Sequence, residues 1–453
     1  MSDETNVTTE ERDPAGSDGP LERYFKLREH GTSVRTEVIA GATTFLAMAY
    51  IVFVNPDILS NAGMDFGAVF VATCLAAALG TLIMGLWAKL PIAQAPGMGL
   101  NAFFAFTVVL GMGIDWEVAL AGTFTSGVLF LLLTVTGLRE RIINAIPMPM
   151  KLAVGAGIGL FIAFIGLSNA EIVVQYEPTA VTLGDLGSPN TMLAIFGLIV
   201  TALLLLRGLK GAVFYGIIIT AIAGVIFGLA PAPDAVVSTP PSLAPTFGAG
   251  LAALPELFTV QMAIVVFTML FVDFFDTAGT LIAVTNQAGL LTSDGKLPNG
   301  GRALVSDASA TIAGGVLGTS TTTSYIESSA GVGAGGRTGL TSVVTAGFFL
   351  LTLLFSPLLS AVTQYVTAPA LIIVGVMMAR GLGEIEWDKM EIAIPAFVTV
   401  IAMPLTFSIA NGIALGLILY PLLMVFRGRA KEVTPTLYVL GVVLLAYFIW
   451  LVE

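Results

Sequence analysis

The chain has 453 residues, of which 56% are hydrophobic and only 11% charged, and its formal net charge is −11. Soluble domains carry about a quarter charged residues, and a soluble chain of this length would suggest about three domains. Long apolar stretches recurring from Val38 to Val452 exclude that reading, because a soluble core cannot bury so many uniformly apolar helices, whereas a bilayer takes one for every ~20 residues. The chain reads as an all-α polytopic membrane protein.

In chain order, the first feature is a tail. Eight of the 30 acids fall in the first 29 residues. The polar, acidic stretch from Met1 to about Gly19 reads as disordered, and the tail is bounded at 1–22. It lacks a basic n-region and an apolar h-region, so it is no cleavable signal peptide. The acidic balance argues against a nucleic-acid partner and against a polybasic lipid-binding surface. A single cysteine, Cys74, and a single histidine, His30, exclude an internal disulfide, His-based triads and clustered His or thiolate metal sites. No metal or cofactor is expected.

Apolar segments follow near 35–56, 66–88, 97–111, 117–137, 147–168, 191–206, 211–230, 260–285, 303–318, 320–334, 338–361, 369–381, 391–408, 411–426 and 435–452. The short 97–111 and 320–334 are rich in Gly, Thr and Ser, as broken membrane helices are. The 19 Lys and Arg residues fix the threading. Arg12, Arg23, Lys26, Arg28 and Arg35 precede the first segment, and Lys89 follows the second. Arg139, Arg141 and Lys151 surround the junction of the fourth and fifth; Arg207 and Lys210 follow the sixth. Lys296 and Arg302 follow the eighth, Arg337 the tenth, Arg380 and Lys389 the twelfth, and Arg427, Arg429 and Lys431 the fourteenth. All lie on the side reached after an even number of crossings, which the positive-inside rule makes cytoplasmic, together with the N-terminus. That parity requires 391–408 and 411–426 to be separate passes divided near Asn411, and leaves 435–452 as an extra helix, spanning or interfacial. Fourteen passes divide into two inverted sevens with a broken segment third in each, the architecture of secondary transporters. Direct likeness between the halves is slight: Thr125-Ser-Gly127 resembles Thr345-Ala-Gly347.

Three stretches carry chemistry. In Phe271-Val-Asp-Phe-Phe-Asp-Thr-Ala-Gly-Thr280, Asp273, Asp276, Thr277 and Thr280 share one helical face, with Phe274 beside them. A carboxylate mid-span costs about 2.5–3.5 kcal/mol on the insertion scale and marks a substrate or ion pathway by default. The plain alternative is a cap for backbone broken at membrane depth. In Gly318–Gly333 the Thr/Ser run of 319–324, including Thr323 and Ser324, favours extended backbone. Helix then resumes near Tyr325, which puts Glu327 in the first turn of a half-helix, where simple capping is the alternative. Gly331-Val-Gly-Ala-Gly-Gly336 matches a nucleotide-loop pattern but lacks the strand–helix unit, so close helix packing is its reading. In Pro91-Ile-Ala-Gln-Ala-Pro-Gly-Met-Gly-Leu-Asn-Ala, Pro96-Gly97 opens a new helix, aiming the free N–H groups of Gly97 to Gly99 and the amide of Asn101 into a site. An ordinary Pro-Gly bend is the alternative.

Three carboxylates share this region and no Lys or Arg does, so the site suits a neutral molecule rich in N–H donors. Phe45, Phe103, Phe104, Phe274 and Tyr325 offer faces for a flat ring. Carboxylates close together in an apolar setting hold a proton readily, which suits them to carry one with the substrate.

Four stretches in order resemble the nucleobase–cation symporter-2 (nucleobase/ascorbate transporter) superfamily, in its adenine/guanine/hypoxanthine permease branch. They are Ala40-Gly-Ala-Thr-Thr-Phe-Leu-Ala-Met-Ala-Tyr-Ile, Ala95-Pro-Gly-Met-Gly-Leu-Asn-Ala-Phe-Phe, Asp273-Phe-Phe-Asp-Thr-Ala-Gly-Thr and Thr322-Thr-Ser-Tyr-Ile-Glu-Ser-Ser-Ala-Gly-Val. The resemblance implies two inverted seven-segment repeats, with short strands in segments 3 and 10 meeting at the substrate. It implies a core domain from 23–145 and 258–362, and a gate domain from 146–257 and 363–453. It makes Asp273, Asp276 and Glu327 purine-binding carboxylates and Asn101 a polar contact, in a proton-coupled importer of the cell membrane that forms homodimers through the gate. The alternatives are an anion transporter of the same fold, disfavoured by the missing base near Glu327, a channel, and an intramembrane aspartate enzyme. The last pairs aspartates from two helices, whereas Asp273 and Asp276 share one. The chain reads as a transporter, not an enzyme.

Overall fold

The computed structural model describes residues 19–136, 147–291 and 297–450. The tail before Gly19, Arg12, Arg139, Arg141, Lys296 and the 145/146 division lie outside the described residues. The boundary placed at residue 22 falls inside a helix, α1 (Pro20–Phe25).

An element stands at each apolar segment. The first is α2 (Val34–Met48) and α3 (Ile51–Ser60), broken at Ala49–Tyr50; the second is α4 (Phe66–Ile83), prolonged by a π-turn over Met84–Ala88. The third is strand β1 (Gln94–Pro96), α5 (Met98–Ala102) and a π-helical stretch, Phe103–Gly111. Then come α6 (Trp116–Thr136), α7 (Met148–Asn169), a hairpin of β2 (Val173–Tyr176) and β3 (Ala180–Leu183), α8 (Pro189–Leu206), α9 (Ala212–Ile226) and the short α10 (Ala249–Ala252). The second half has α11 (Val260–Gln287), α12 (Gly300–Leu317), strand β4 (Thr322–Ser324) with α13 (Ser328–Gly333), and α14 (Gly339–Thr352). It closes with α15 (Gln364–Met378), α16 (Met390–Leu405), α17 (Ile409–Phe426) and α18 (Pro435–Trp450). By length and composition, nine helices among the described residues can cross a membrane, and 98–111, 212–226 and 390–405 are shorter apolar ones. Helices α16 and α17 are separate, as the charge parity requires. Ser408, just before the division expected at Asn411, caps α17 by accepting the Asn411 N–H.

Several helices begin where a short polar side chain precedes an apolar run. Ser33, Asp65, Ser188, Thr259 and Thr338 each accept a first-turn N–H, a contact worth about 1 kcal/mol. The two strands lie in the interior. β1 pairs antiparallel with β4 in the register Gln94↔Ser324, Ala95↔Thr323, Pro96↔Thr322, and all six residues are buried. Pro96 has no N–H to give and Thr favours extended backbone, so both sequences suit short strands over helix. The β2–β3 hairpin was not read from the sequence, although its Val, Tyr and Thr content is a strand signal.

Contacts tie several base-bearing segments to their neighbours. Lys89 Nζ donates to the Tyr24 carbonyl at 3.1 Å and sits 4.5 Å from the centre of its ring. Asn299, beside Arg302, donates to the Ala88 carbonyl at 3.2 Å. At the end of α17, Arg429 bonds Glu391 at 2.8 Å and Glu432 at 2.6 Å, which holds the Glu432 carboxyl below its usual range. The glycine run packs closely, as its sequence suggests: a Cβ on Gly331 would collide with Thr44 Oγ1, and one on Gly336 would lie 2.6 Å from Thr341 Oγ1. The Thr125/Thr345 likeness does not extend to packing, since a Cβ on Gly127 would lie 2.9 Å from the Ile312 backbone while Gly347 has open space.

Glu37, fully buried in α2, caps another helix. Its carboxylate accepts the N–H groups of Arg337 (2.9 Å), Thr338 (3.3 Å) and Thr341 (3.1 Å) and the Thr341 hydroxyl (2.6 Å) at the start of α14. Negative charge there complements the helix N-terminus. Glu37→Gln loses acceptor capacity against buried donors, a cost of about 1–3 kcal/mol. It is expected to lower the melting temperature in detergent, measured against Glu29→Gln at an exposed position.

Candidate functional site

The end of β4, the start of α5 just after β1 and the middle of α11 surround one end of a cavity of about 510 Å³. Asp276 and Thr280 of α11, Ser324, Tyr325 and Glu327 of the β4–α13 stretch, and Tyr50 at the break between α2 and α3 form its polar wall. Gly97 and Gly99 line it from the third segment, and Val213, Val374 and Met378 face them from α9 and α15. Lys210 and Arg380 line the same cavity, and both are exposed. This corrects the expectation that no base shares the region: folding brings the loops after α8 and α15 to the cavity although they are remote in sequence.

Glu327 is the N-cap residue of α13 but makes no capping bond with its side chain. Its Oε1 accepts from the Tyr50 hydroxyl at 2.5 Å. Tyr325 donates its hydroxyl to the Pro96 carbonyl at 2.5 Å, which ties the cavity wall to β1. The N–H of Gly97, expected to be free, donates to the Thr321 carbonyl at 2.9 Å; the strand pairing extends one residue beyond β1 and consumes it. Gly97 is required here for space, since a Cβ would stand 2.7 Å from Thr323 Cγ2.

The face read along α11 divides in two. Asp276 and Thr280 turn to the cavity, while Asp273 and Thr277 turn to α12 and β4. Asp273, 1% exposed, accepts from Thr311 Oγ1 at 3.4 Å, and Thr277 Oγ1 bonds Asp307 Oδ1 at 2.9 Å and Thr323 Oγ1 at 2.7 Å. Asn101 is buried behind the wall, where its Nδ2 donates to Asn55 Oδ1 at 3.0 Å. Asn55 in turn donates to Thr73 (2.7 Å) and Thr319 (2.8 Å). Phe274 packs edge-on against Phe130, with ring centres 5.6 Å apart. Phe103 and Phe104 are buried, and Phe45 lines a separate, almost wholly apolar cavity of about 580 Å³. Of the aromatic residues read as ring faces, Tyr325 alone lines the carboxylate cavity.

Three residues in or behind the cavity wall escaped the sequence reading. Tyr50 looked like one more apolar residue inside a span, and Gln94 like part of a loop. Asp307 had a signal of its own, a carboxylate in the middle of an apolar helix, of the kind that marked Asp273.

Comparisons with known proteins agree with this architecture. The chain matches the permease family represented by xanthine/uracil permeases over residues 35–415. It is 57% identical to the guanine/hypoxanthine permease PbuG of Bacillus subtilis, covering 95% of this chain and 100% of that protein. It is 45% identical to the adenine permease AdeP of Escherichia coli, covering 96% and 97% of the two chains. The transmembrane domain of the cyanobacterial bicarbonate transporter BicA superposes with a TM-score of 0.63 at 14% identity, covering 83% of this chain and 97% of that one. Murine Slc26a9, an anion transporter in the inward-facing state, superposes with a TM-score of 0.61 at 9% identity, covering 92% and 74%. The fold is that of multi-pass membrane transporters built from inverted repeats. The chain belongs to the xanthine/uracil permease family, whose members are transporters and not enzymes.

Cys74 is buried, so an introduced thiol is read without background. Thr280→Cys is expected to react with a membrane-impermeant maleimide added from the face bearing Lys210 and Arg380, and not from the other; labelling from both faces would contradict the shape of the cavity.

Proposed function

We propose that this protein is a permease that imports purine nucleobases across the cell membrane by proton symport, with alternating access around the carboxylate cavity. The observation that carries the reading is the cavity wall. Asp276 and Glu327 stand in it beside Tyr325 and Tyr50, a set of acceptors next to an aromatic ring that suits a flat, neutral, N–H-rich ring. The names of the relatives, guanine/hypoxanthine and adenine permeases, support purines as that ring. Asp276, Glu327, Ser324 and the backbone at Gly99 make the contacts, Gly97 keeps the space beside them open, and Asp273, Thr277, Thr323 and Asn101 support them from behind. Phe274, packed on Phe130, steadies α11 without touching the base.

Two carboxylates facing one cavity repel each other, so uptake of a proton by one of them accompanies binding. With the base-rich face cytoplasmic, the cavity is open inward and the N-terminus lies inside. The elements of 23–145 and 258–362 form the core, those of 146–257 and 363–453 the gate, and the gate carries a homodimer contact. Lys210 and Arg380 favour the anion-carrier alternative, but both are exposed, whereas the hydrogen-bonded wall carries carboxylates.

The test is uptake of labelled guanine, hypoxanthine, adenine, uracil and sulfate into cells or proteoliposomes, with and without an inward proton gradient. Purine uptake that collapses when the gradient is dissipated is expected; uptake of sulfate alone would overturn the reading. Glu327→Gln and Asp276→Asn are each expected to cut purine uptake at least tenfold, on the order of 1.4 kcal/mol, with unchanged amounts of protein in the membrane. Tyr50→Phe, which removes one hydrogen bond to Glu327, is expected to raise KM by about threefold to tenfold.

A further inference from the structure

Behind the cavity wall stands a carboxylate that the reading above does not use. Asp307 of α12 is fully buried, and its Oδ1 receives three donors. Gln94 Nε2 of β1 donates at 3.0 Å, Thr277 Oγ1 of α11 at 2.9 Å and Ser324 Oγ of β4 at 3.0 Å. The carboxylate calls for a donor and so turns the N–H side of the Gln94 amide toward itself, which leaves Oε1 beside Ser306 Oγ at 3.2 Å, a hydroxyl that shares its single proton with the Gly80 carbonyl at 3.1 Å. Its Nε2 therefore faces Asp307 and also donates to Ser324 Oγ at 3.3 Å.

Of these three donors, Ser324 alone lines the cavity. A serine hydroxyl has one proton and two lone pairs. Asp307 takes the proton and Gln94 occupies one lone pair, so what remains for the cavity is an acceptor. Tyr50 and Tyr325 have likewise given their protons away, to Glu327 and to the Pro96 carbonyl. With whichever of Asp276 and Glu327 stays ionised, these wall oxygens offer lone pairs.

We propose that Asp307 is a specificity-determining positioning residue: by taking the Ser324 hydroxyl proton it keeps the cavity-side oxygen an acceptor, so the site ranks bases by the N–H donors on their edge. The inference rests on the nucleobase reading above. Guanine presents a ring N–H and an amino group side by side, whereas adenine sets a ring acceptor beside its amino group. An acceptor wall favours the first and leaves an acceptor facing an acceptor in the second, which is how a site built for hydrogen bonding discriminates strongly.

The experiment measures inhibition of labelled hypoxanthine uptake by unlabelled guanine and adenine, in the full-length wild type and in three variants. Wild type is expected to bind guanine more tightly than adenine. Asp307→Ala frees the Ser324 proton to point into the cavity and is expected to narrow the guanine-to-adenine ratio by about tenfold. Asp307→Asn keeps an acceptor oxygen for Ser324 and is expected to hold the ratio within about threefold of wild type. Ser324→Ala deletes the acceptor itself and is expected to narrow the ratio as Asp307→Ala does. If Asp307→Ala fails to reach the membrane, Ser324→Ala decides alone. The proposal is overturned if Ser324→Ala or Asp307→Ala weakens both bases equally, or if Asp307→Asn loses the ratio as fully as Asp307→Ala. A wild type that takes up no purine would instead strike down the nucleobase reading.

Discussion

Everything at the site depends on backbone pairing inside a membrane protein. A polypeptide that leaves the helix at membrane depth exposes N–H and C=O groups that lipid cannot satisfy. Here the two interrupted segments satisfy each other. β1 pairs with β4, and the pairing is prolonged by Gly97 N–H to Thr321 and Tyr325 N–H to Ala93. The side chains that matter then follow from the register. Gln94 comes opposite Ser324 and both reach Asp307, while Tyr325, one step beyond β4, swings its hydroxyl back to Pro96. The two half-helices start at fixed points because the strands fix them.

A second constraint is that the wall carboxylates are met by neutral donors, the two bases of the cavity, Lys210 and Arg380, being exposed. Asp276 and Glu327 face a cavity, and Asp273 and Asp307 lie behind it. Hydroxyl and amide donors answer Glu327, Asp273 and Asp307, from Tyr50, Thr311, Thr277, Ser324 and Gln94. Such donors stabilise an acceptor while leaving it able to gain or lose a proton, which a buried Arg partner would oppose by holding the carboxylate ionised. The contrast is Glu37, whose oxygens are taken up by the start of α14. Glu37 serves as a fixed cap, and the cavity carboxylates remain available to a ligand.

Much of this was legible in the sequence. The apolar segments, the division of α16 from α17 near Asn411 and the interruption at 97–111 and 320–334 follow from hydropathy, charge parity and Gly, Thr and Ser content, which are local signals. The pairing of the two strands came from the family resemblance, and the structure bears it out. What stayed hidden is which way a helical face divides. Asp273, Asp276, Thr277 and Thr280 share a face by spacing, but their separate destinations depend on α12 lying against one edge of that face. Asn101 read as a site group because its segment breaks there, yet Asn55 at 3.0 Å holds it behind the wall. Lys210 and Arg380 reach the cavity only through the packing of α9 and α15, which no local pattern encodes.

The strand pair also bears on how the chain is made. Gln94 and Ser324 are 230 residues apart, so β1 is inserted long before β4 exists. Until then the extended backbone around Pro96 has no partner in the apolar phase. The first half is therefore an incomplete solute, in need of water, a chaperone or the insertion machinery until the second half arrives. Synthesis from two separate halves would make the same demand in a different form, because neither half can close its own backbone. The feature that shapes the binding site thus also sets the moment at which the protein becomes a stable membrane body.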